Sequence, residues 1–228
     1  MLKFFRYSRS FCLLFFGIKA MSIAKESHSF ILVCLVSALV TFKISIWASV
    51  CFILTGILVA CFFRDPKRTI VTSEKAVLSP ADGRVIQIDP VASEGCQDKP
   101  WTRVWIFLSI LDVHINRSPI AGQIENIKYT PGKFLLACKK EALASNENNL
   151  IHIRGKYFSI RVRQIAGKLA RKIVCYCGKG DRLVQGQKFG LIQFGSGVQV
   201  DMPSSVKIQA AVGQRVKGGV TILGIFEP

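Results

Sequence analysis

Gly190–Val200 reads GLIQFGSGVQV. Apolar and polar side chains alternate on either side of Gly195-Ser196-Gly197, as they do along a β-strand with one buried face. Glycine inside such a pattern marks a bulge, or a point where another group comes close to the backbone. The stretch therefore predicts strand on both sides of a break, with a serine at the break.

Outward from it the same signature recurs. GRVIQID (83–89), RVWIFLSI (103–110), GQIENIKY (122–129), LIHIRG (150–155), YFSIRVRQI (157–165), RKIVCYC (171–177), KFGLIQF (188–194), GVQVDM (197–202), SVKIQAAV (205–212) and GVTILGIF (219–226) all read as short strands. Each is bounded by Gly, Pro, Asp, Ser or Lys turn chemistry. The clearest helix candidate among them is Leu135–Ala144. With crossover helices missing, the pattern predicts a β-rich α+β class, an antiparallel β-sandwich or barrel-like domain. Two echoes reinforce it. Ser79-Pro80-Ala81-Asp82-Gly83 resembles Ser118-Pro119-Ile120-Ala121-Gly122, and Gly180–Gly186 resembles Gly213–Gly218. Similar pairs occur in the sandwiches of lipoyl and biotinyl carriers, but no lysine here has the carrier Met-Lys-Met setting.

Before the strands lies Phe30–Phe63, an apolar run whose one formal charge is Lys43. As one helix it would extend about 51 Å, against a hydrocarbon core of about 30 Å. A membrane-embedded helical hairpin fits better. Ile44–Phe63 is long enough to span, whereas Phe30–Phe42 must tilt, lie shallow or extend back toward Ser27. Lys3, Arg6, Arg9, Lys19 and Lys25 precede the run, and Arg64, Lys67 and Arg68 follow it. That bias places both ends on the cytoplasmic side of the inner membrane. No small-residue cleavage site follows FCLLFFGI, which argues against a removable signal. The domains predicted are thus residues 1–63, a basic segment and anchor, and 64–228.

Beyond Phe63 the chain holds 25 Lys+Arg against 13 Asp+Glu. Such a domain on a membrane tether predicts attraction to anionic phospholipid. Nucleic acid is disfavoured as a partner, because neither a binding signature nor interleaved aromatic and basic residues occur. Cys175 and Cys177 lie two apart on a strand and share a face, a spacing weak for zinc. No metal is expected, and the cysteines read as reduced thiols.

Few residues could carry chemistry. Of three histidines, His28 lies at the membrane entry and His152 reads as structural. In SILDVHINRSP, Asp112, His114, Asn116 and Ser118 alternate, so a strand aims all of them one way. A solvated face explains that file equally well. Asp82 is explained equally well by turn duty. Gly195-Ser196-Gly197 lacks the glycine spacing of a hydrolase nucleophile elbow.

Taken together and in order, FFRDPKR, SPADG, FLSILDVHINRSPIAG, PGKF, NENN, ARKIVCYC, GQKFGLIQFGSGVQVDMP and VGQRVKGGVT closely resemble the short, membrane-associated class of phosphatidylserine decarboxylases. The resemblance runs from about Phe62 to the C-terminus. It implies self-cleavage at Gly195-Ser196 into a β chain (1–195) and an α chain (196–228), with Ser196 becoming a covalent pyruvoyl group. It further implies His114 as base, Asp82 as the group orienting His114, and a Schiff base between the pyruvoyl and phosphatidylserine that loses CO2 to give phosphatidylethanolamine. A homo-oligomer is left open. Gly197 and Gln199 depart from the family's RVDVY-like pattern by removing a basic and an acidic residue, and ALASNENN lacks the usual basic residues. Rival readings are a non-enzymatic membrane-tethered adaptor and a serine hydrolase.

Overall fold

The computed structural model describes residues 21–91, 101–133, 145–167, 172–193 and 196–227. It contains two compact units, residues 1–67 and 68–228. The helix expected at Leu135–Ala144 lies outside the described residues.

In the first unit, β1 (Met21–Ile23) pairs antiparallel with β2 (Arg64–Pro66), closing the base of a hairpin formed by α1 (His28–Phe42) and α2 (Ile46–Phe62). The turn between the helices is made by the Ile44 and Ser45 amides, which both donate to the Thr41 carbonyl. Ser45 then caps α2 by accepting from the Ala48 amide. Along the hairpin the buried residues are small, Ala38, Ser49 and Gly56, with Phe62 buried at its base, while Leu39 and Trp47 are 76% and 78% exposed. Small side chains inside and large apolar ones outside is the arrangement that lipid stabilises and water does not.

At 1.5 Å per residue, α1 and α2 measure about 23 and 26 Å. The balance of the arms differs from expectation. A 3-10 turn, Lys25–Ser27, leads into α1, and this run, Lys25–Phe42, is the described helix long and apolar enough to cross a membrane. The second arm is shortened because Ile44 and Ser45 are consumed by the turn and the cap.

The second unit is built from antiparallel strands: β3 (Ala76–Leu78), β4 (Gly83–Val91), β5 (Trp101–Leu108), β6 (Ile115–Arg117), β7 (Gly122–Thr130), β8 (Asn148–Arg154), β9 (Ser159–Ile165), β10 (Ile173–Cys175), β11 (Arg182–Leu183), β12 (Lys188–Ile192), β13 (Ser196–Pro203), β14 (Val206–Ile208), β15 (Arg215–Val216) and β16 (Ile222–Phe226). An eight-stranded sheet runs β11-β7-β8-β9-β13-β5-β4-β15, and two three-stranded sheets run β10-β12-β6 and β14-β16-β3. Every strand read from the sequence overlaps an observed strand, several of which, such as β5 and β8, begin up to two residues earlier. Strands of two or three residues, such as β3, β6, β11 and β15, are too short to show alternation, and only the fold reveals them. The core is filled from alternate positions: Val104, Ile106 and Leu108 of β5, Ile160 and Val162 of β9, Val198, Val200 and Met202 of β13. Each such side chain contributes about 1.5–3 kcal/mol on burial.

The two echoes are halves of one internal repeat. The Ser79 hydroxyl donates to the Ala81 carbonyl, and the Ser118 hydroxyl to that of Ile120, each at 2.7 Å. Leu78 N donates to Pro119 O, and Arg117 N to Pro80 O. Val216 pairs with Gly83 at one edge of the large sheet, and Leu183 with Gly122 at the other. Gly219 N donates to Ser79 O and Gly186 N to Ser118 O, both at 2.8 Å. These last two glycines have φ of +74° and +77°, and a Cβ on either would strike Ile70. One turn-and-strand unit, used twice, thus makes the corners of the sandwich.

Candidate active site

Ser196 opens β13, in the middle of the large sheet, with β5 on one side and β9 on the other. Directly opposite it is Leu108, the last residue of β5. Ser196 is fully buried, and its hydroxyl has no hydrogen-bond partner among the described residues. A hydroxyl left this way costs roughly 1–3 kcal/mol. Gly195, the other half of the expected cleavage site, lies outside the described residues.

His114 is brought to the same end of the sandwich by backbone on two sides. The chain leaves Leu108, turns through Ser109–Asp112 with Asp112 N donating to Ser109 O, and arrives at His114. The carbonyl of His114 then accepts from Ile192 N, at the end of the strand that leads toward Ser196. Residues 113–120 are all buried, which removes the solvated-face explanation of the polar file. The His114 ring, 1% exposed, places Nδ1 2.9 Å from the Asp112 carbonyl oxygen. A carbonyl only accepts, so Nδ1 carries the proton and Nε2 is the basic nitrogen of the neutral ring.

Asp82 is held differently from what its expected role implies. Its Oδ2 accepts from Arg68 Nη2 at 2.6 Å, and its Oδ1 from the Gly218 amide at 2.8 Å. The partner described on His114 Nδ1 is the Asp112 carbonyl instead. Turn duty does not explain Asp82 either, because Ala121 makes the equivalent turn in the other repeat. The Asp82 turn meets the histidine segment one step along, where Arg117 N donates to Pro80 O at 2.8 Å.

The sequence reading missed a row of buried amides. Asn149 Nδ2 donates to Gln164 Oε1 at 3.0 Å, and Gln164 Nε2 to Asn116 Oδ1 at 2.8 Å. Asn116 Nδ2 has no partner among the described residues. The row passes over Gly190, where a Cβ would stand 2.7 Å from Gln164 Nε2. Alternation held the signal: Gln164 is in phase with Ile160 and Val162, and Asn149 with Ile151 and Ile153, so both point inward.

Gln199 lies opposite Trp105 and Arg163. It is 1% exposed, and neither end of its amide has a partner among the described residues. Asp201, two positions on, is bound bidentately by Arg103 at 2.6 and 2.8 Å. Cys175 and Cys177 do share a face, with Sγ atoms 3.4 Å apart. Hydrogen bonding from Cys177 holds the Cys175 thiol down to about 6 against the opposing effect of burial, and Cys177 is pushed up by the same contact. Among the described residues, no group of three or more His, Cys, Asp or Glu could hold a metal ion.

Comparison with known proteins places this geometry in context. A sequence model of the phosphatidylserine decarboxylase family matches residues 56–224. A phosphatidylserine decarboxylase proenzyme of Carboxydothermus hydrogenoformans is 43% identical over 79% of this chain and 85% of its own. Proteins of the same name from Geobacter sulfurreducens (40% identical, 90% of this chain and 96% of the relative) and Wolbachia pipientis (39%, 89% and 90%) are similar along nearly their whole length. The adaptor and serine-hydrolase readings are thereby set aside. With its strands, its buried serine and these relatives in agreement, the chain belongs to the phosphatidylserine decarboxylase family.

Proposed function

We propose that this chain is a precursor that cuts itself between Gly195 and Ser196 and then decarboxylates phosphatidylserine to phosphatidylethanolamine. The observation that carries the reading is the buried hydroxyl of Ser196, without a partner among the described residues, at the start of a central strand and at the same end of the sandwich as His114.

In the first step Ser196 Oγ adds to the Gly195 carbonyl carbon as its proton passes to His114 Nε2. The peptide C–N bond breaks, and that proton goes to the Ser196 nitrogen, leaving an ester. Loss of the Ser196 Cα proton then expels Gly195 as a carboxylate. Water converts the remaining unsaturated residue to a pyruvoyl group with release of ammonia. A hydroxyl is a weak nucleophile until a positioned base takes its proton, and the Asp112 carbonyl keeps the His114 ring in the tautomer that can do so. Asp82 acts on His114 through the segment it braces: its bonds to Arg68 and Gly218 fix the turn whose Pro80 carbonyl holds Arg117.

The site fits the group, because Ser196 is secluded from water and its orphaned polar atom is the one the chemistry removes. When in place, the pyruvoyl supplies an electron sink for the carbon that loses CO2. His114 Nε2, once protonated, delivers the proton that takes the place of CO2. The substrate is a bilayer lipid, and the apolar hairpin keeps the catalytic unit on one chain with a membrane anchor. The basic residues flanking it support a cytoplasmic orientation at the inner membrane.

Intact mass of the purified protein under denaturing conditions tests the reading. The expected result is a separate C-terminal chain of residues 196–228, blocked at its N-terminus, and its loss in Ser196→Ala. A folded preparation that remains uncut rejects it.

A further inference from the structure

The row of buried amides has no part in the steps above, yet its middle member, Gln164, is a diagonal neighbour of the reacting serine. Gln164 lies directly opposite Val198, and Ser196 is the next residue of β13 on that same face. Diagonal neighbours of this kind stand about 7–8 Å apart, within the reach of one extended side chain. Gln164 Nε2 holds Asn116 Oδ1, so the Asn116 amide is tied to the side chain that stands on that diagonal. Among the described residues, neither Asn116 Nδ2 nor Ser196 Oγ has a hydrogen-bond partner.

We propose that Asn116 is a positioning residue for self-cleavage, its Nδ2–H donating to Ser196 Oγ. The inference rests on the reading of Ser196 as nucleophile. The row fixes the polarity of what it delivers. Gln164 Oε1 is taken by Asn149 and Asn116 Oδ1 by Gln164, so the end the row has left to offer is a donor. A donor leaves the hydroxyl proton available to His114 and supports the oxygen as that proton departs. Burial makes such support necessary, since Ser196 is fully shielded and water cannot solvate a developing alkoxide there. The bond is not formed in the structure described, and hydrogen bonds to a reacting group often close only as the reaction proceeds.

The test follows self-cleavage of the full-length chain in detergent by intact mass, against time and pH, with thermal unfolding alongside. Asn116→Ala is expected to slow cleavage by about tenfold or more and to move its pH midpoint upward, with a lower Tm because Gln164 Nε2 loses its acceptor. Asn116→Asp keeps the shape but lacks the donor, and it is expected to fail likewise; it also serves if the alanine variant does not fold. Cleavage of Asn116→Ala at the wild-type rate and pH midpoint overturns the proposal, as does recovery of cleavage in Asn116→Asp. If the wild-type chain itself stays whole, the nucleophile reading falls instead, and the two failures are distinct.

Discussion

Asp82 and Ala121 occupy one position in two copies of the same turn, and only the aspartate is tied to other groups. That comparison turns an unremarkable Asp-Gly into a functional candidate. Asp82→Ala leaves Arg68 partly buried without its partner and should cost roughly 2–3 kcal/mol, somewhat under the cost of breaking a fully buried pair. Thermal unfolding will show that loss. A time course of precursor cleavage should in addition show slowing of about tenfold, since the brace on the histidine segment is gone; unchanged maturation would leave Asp82 a purely structural anchor. Gln199 gives the opposite expectation. With both ends of its buried amide lacking a partner among the described residues, Gln199→Leu should keep or raise Tm, because the desolvation cost disappears while the volume remains. A fall of several degrees would mean that the amide has a partner after all.

At the scale of elements, the helical hairpin and the β10–β12 region each carry a check. A Cβ on Gly56 would stand 3.3 Å from that of Cys34, close to the spacing disulfides use. Gly56→Cys should therefore cross-link to Cys34 under mild oxidation, read as a faster band on a non-reducing gel; no cross-link would mean the helices are packed on other faces. At the end of β10, Cys175 titrates near 6 and Cys177 is pushed up. The folded-state value of Cys175 is depressed, so its thiolate persists at neutral pH and is lost as pH falls through about 6. Alkylation followed by peptide mapping should label Cys175 far faster than Cys177 at pH 7. The rate should fall below pH 6; equal labelling would contradict the pairing of the thiols.

At the scale of the whole chain, two different cohesions are joined in one polypeptide. The strand unit buries its apolar residues inside, whereas the hairpin leaves them outside. The second arrangement suits lipid, and on the proposal that the hairpin is a membrane anchor the protein should stay with membranes after washing in about 1 M salt, which screens charge contacts, and after alkaline carbonate. Release by salt would mean that the basic surface alone holds it there.

Much of this was legible beforehand. Alternation located the strands because a half-buried strand must alternate, and the apolar run announced the hairpin because it is too long for one span of a hydrocarbon core and carries a lone charge near its middle. Gly195-Ser196-Gly197 stood out by breaking a pattern, and the echoes of SPADG and SPIAG were visible as repeated turn chemistry. What the residues could not disclose depends on groups distant in the chain. The repeat's meaning appeared only when Gly186 and Gly219 met at Ile70, the tautomer of His114 only when its ring met the Asp112 carbonyl, and the amide row only when β8, β9 and β6 came together. Periodicity reports which way a side chain points, because that is set by local backbone geometry. Which atom it meets is set by strand order and register, and these are decided by the packing of the whole core.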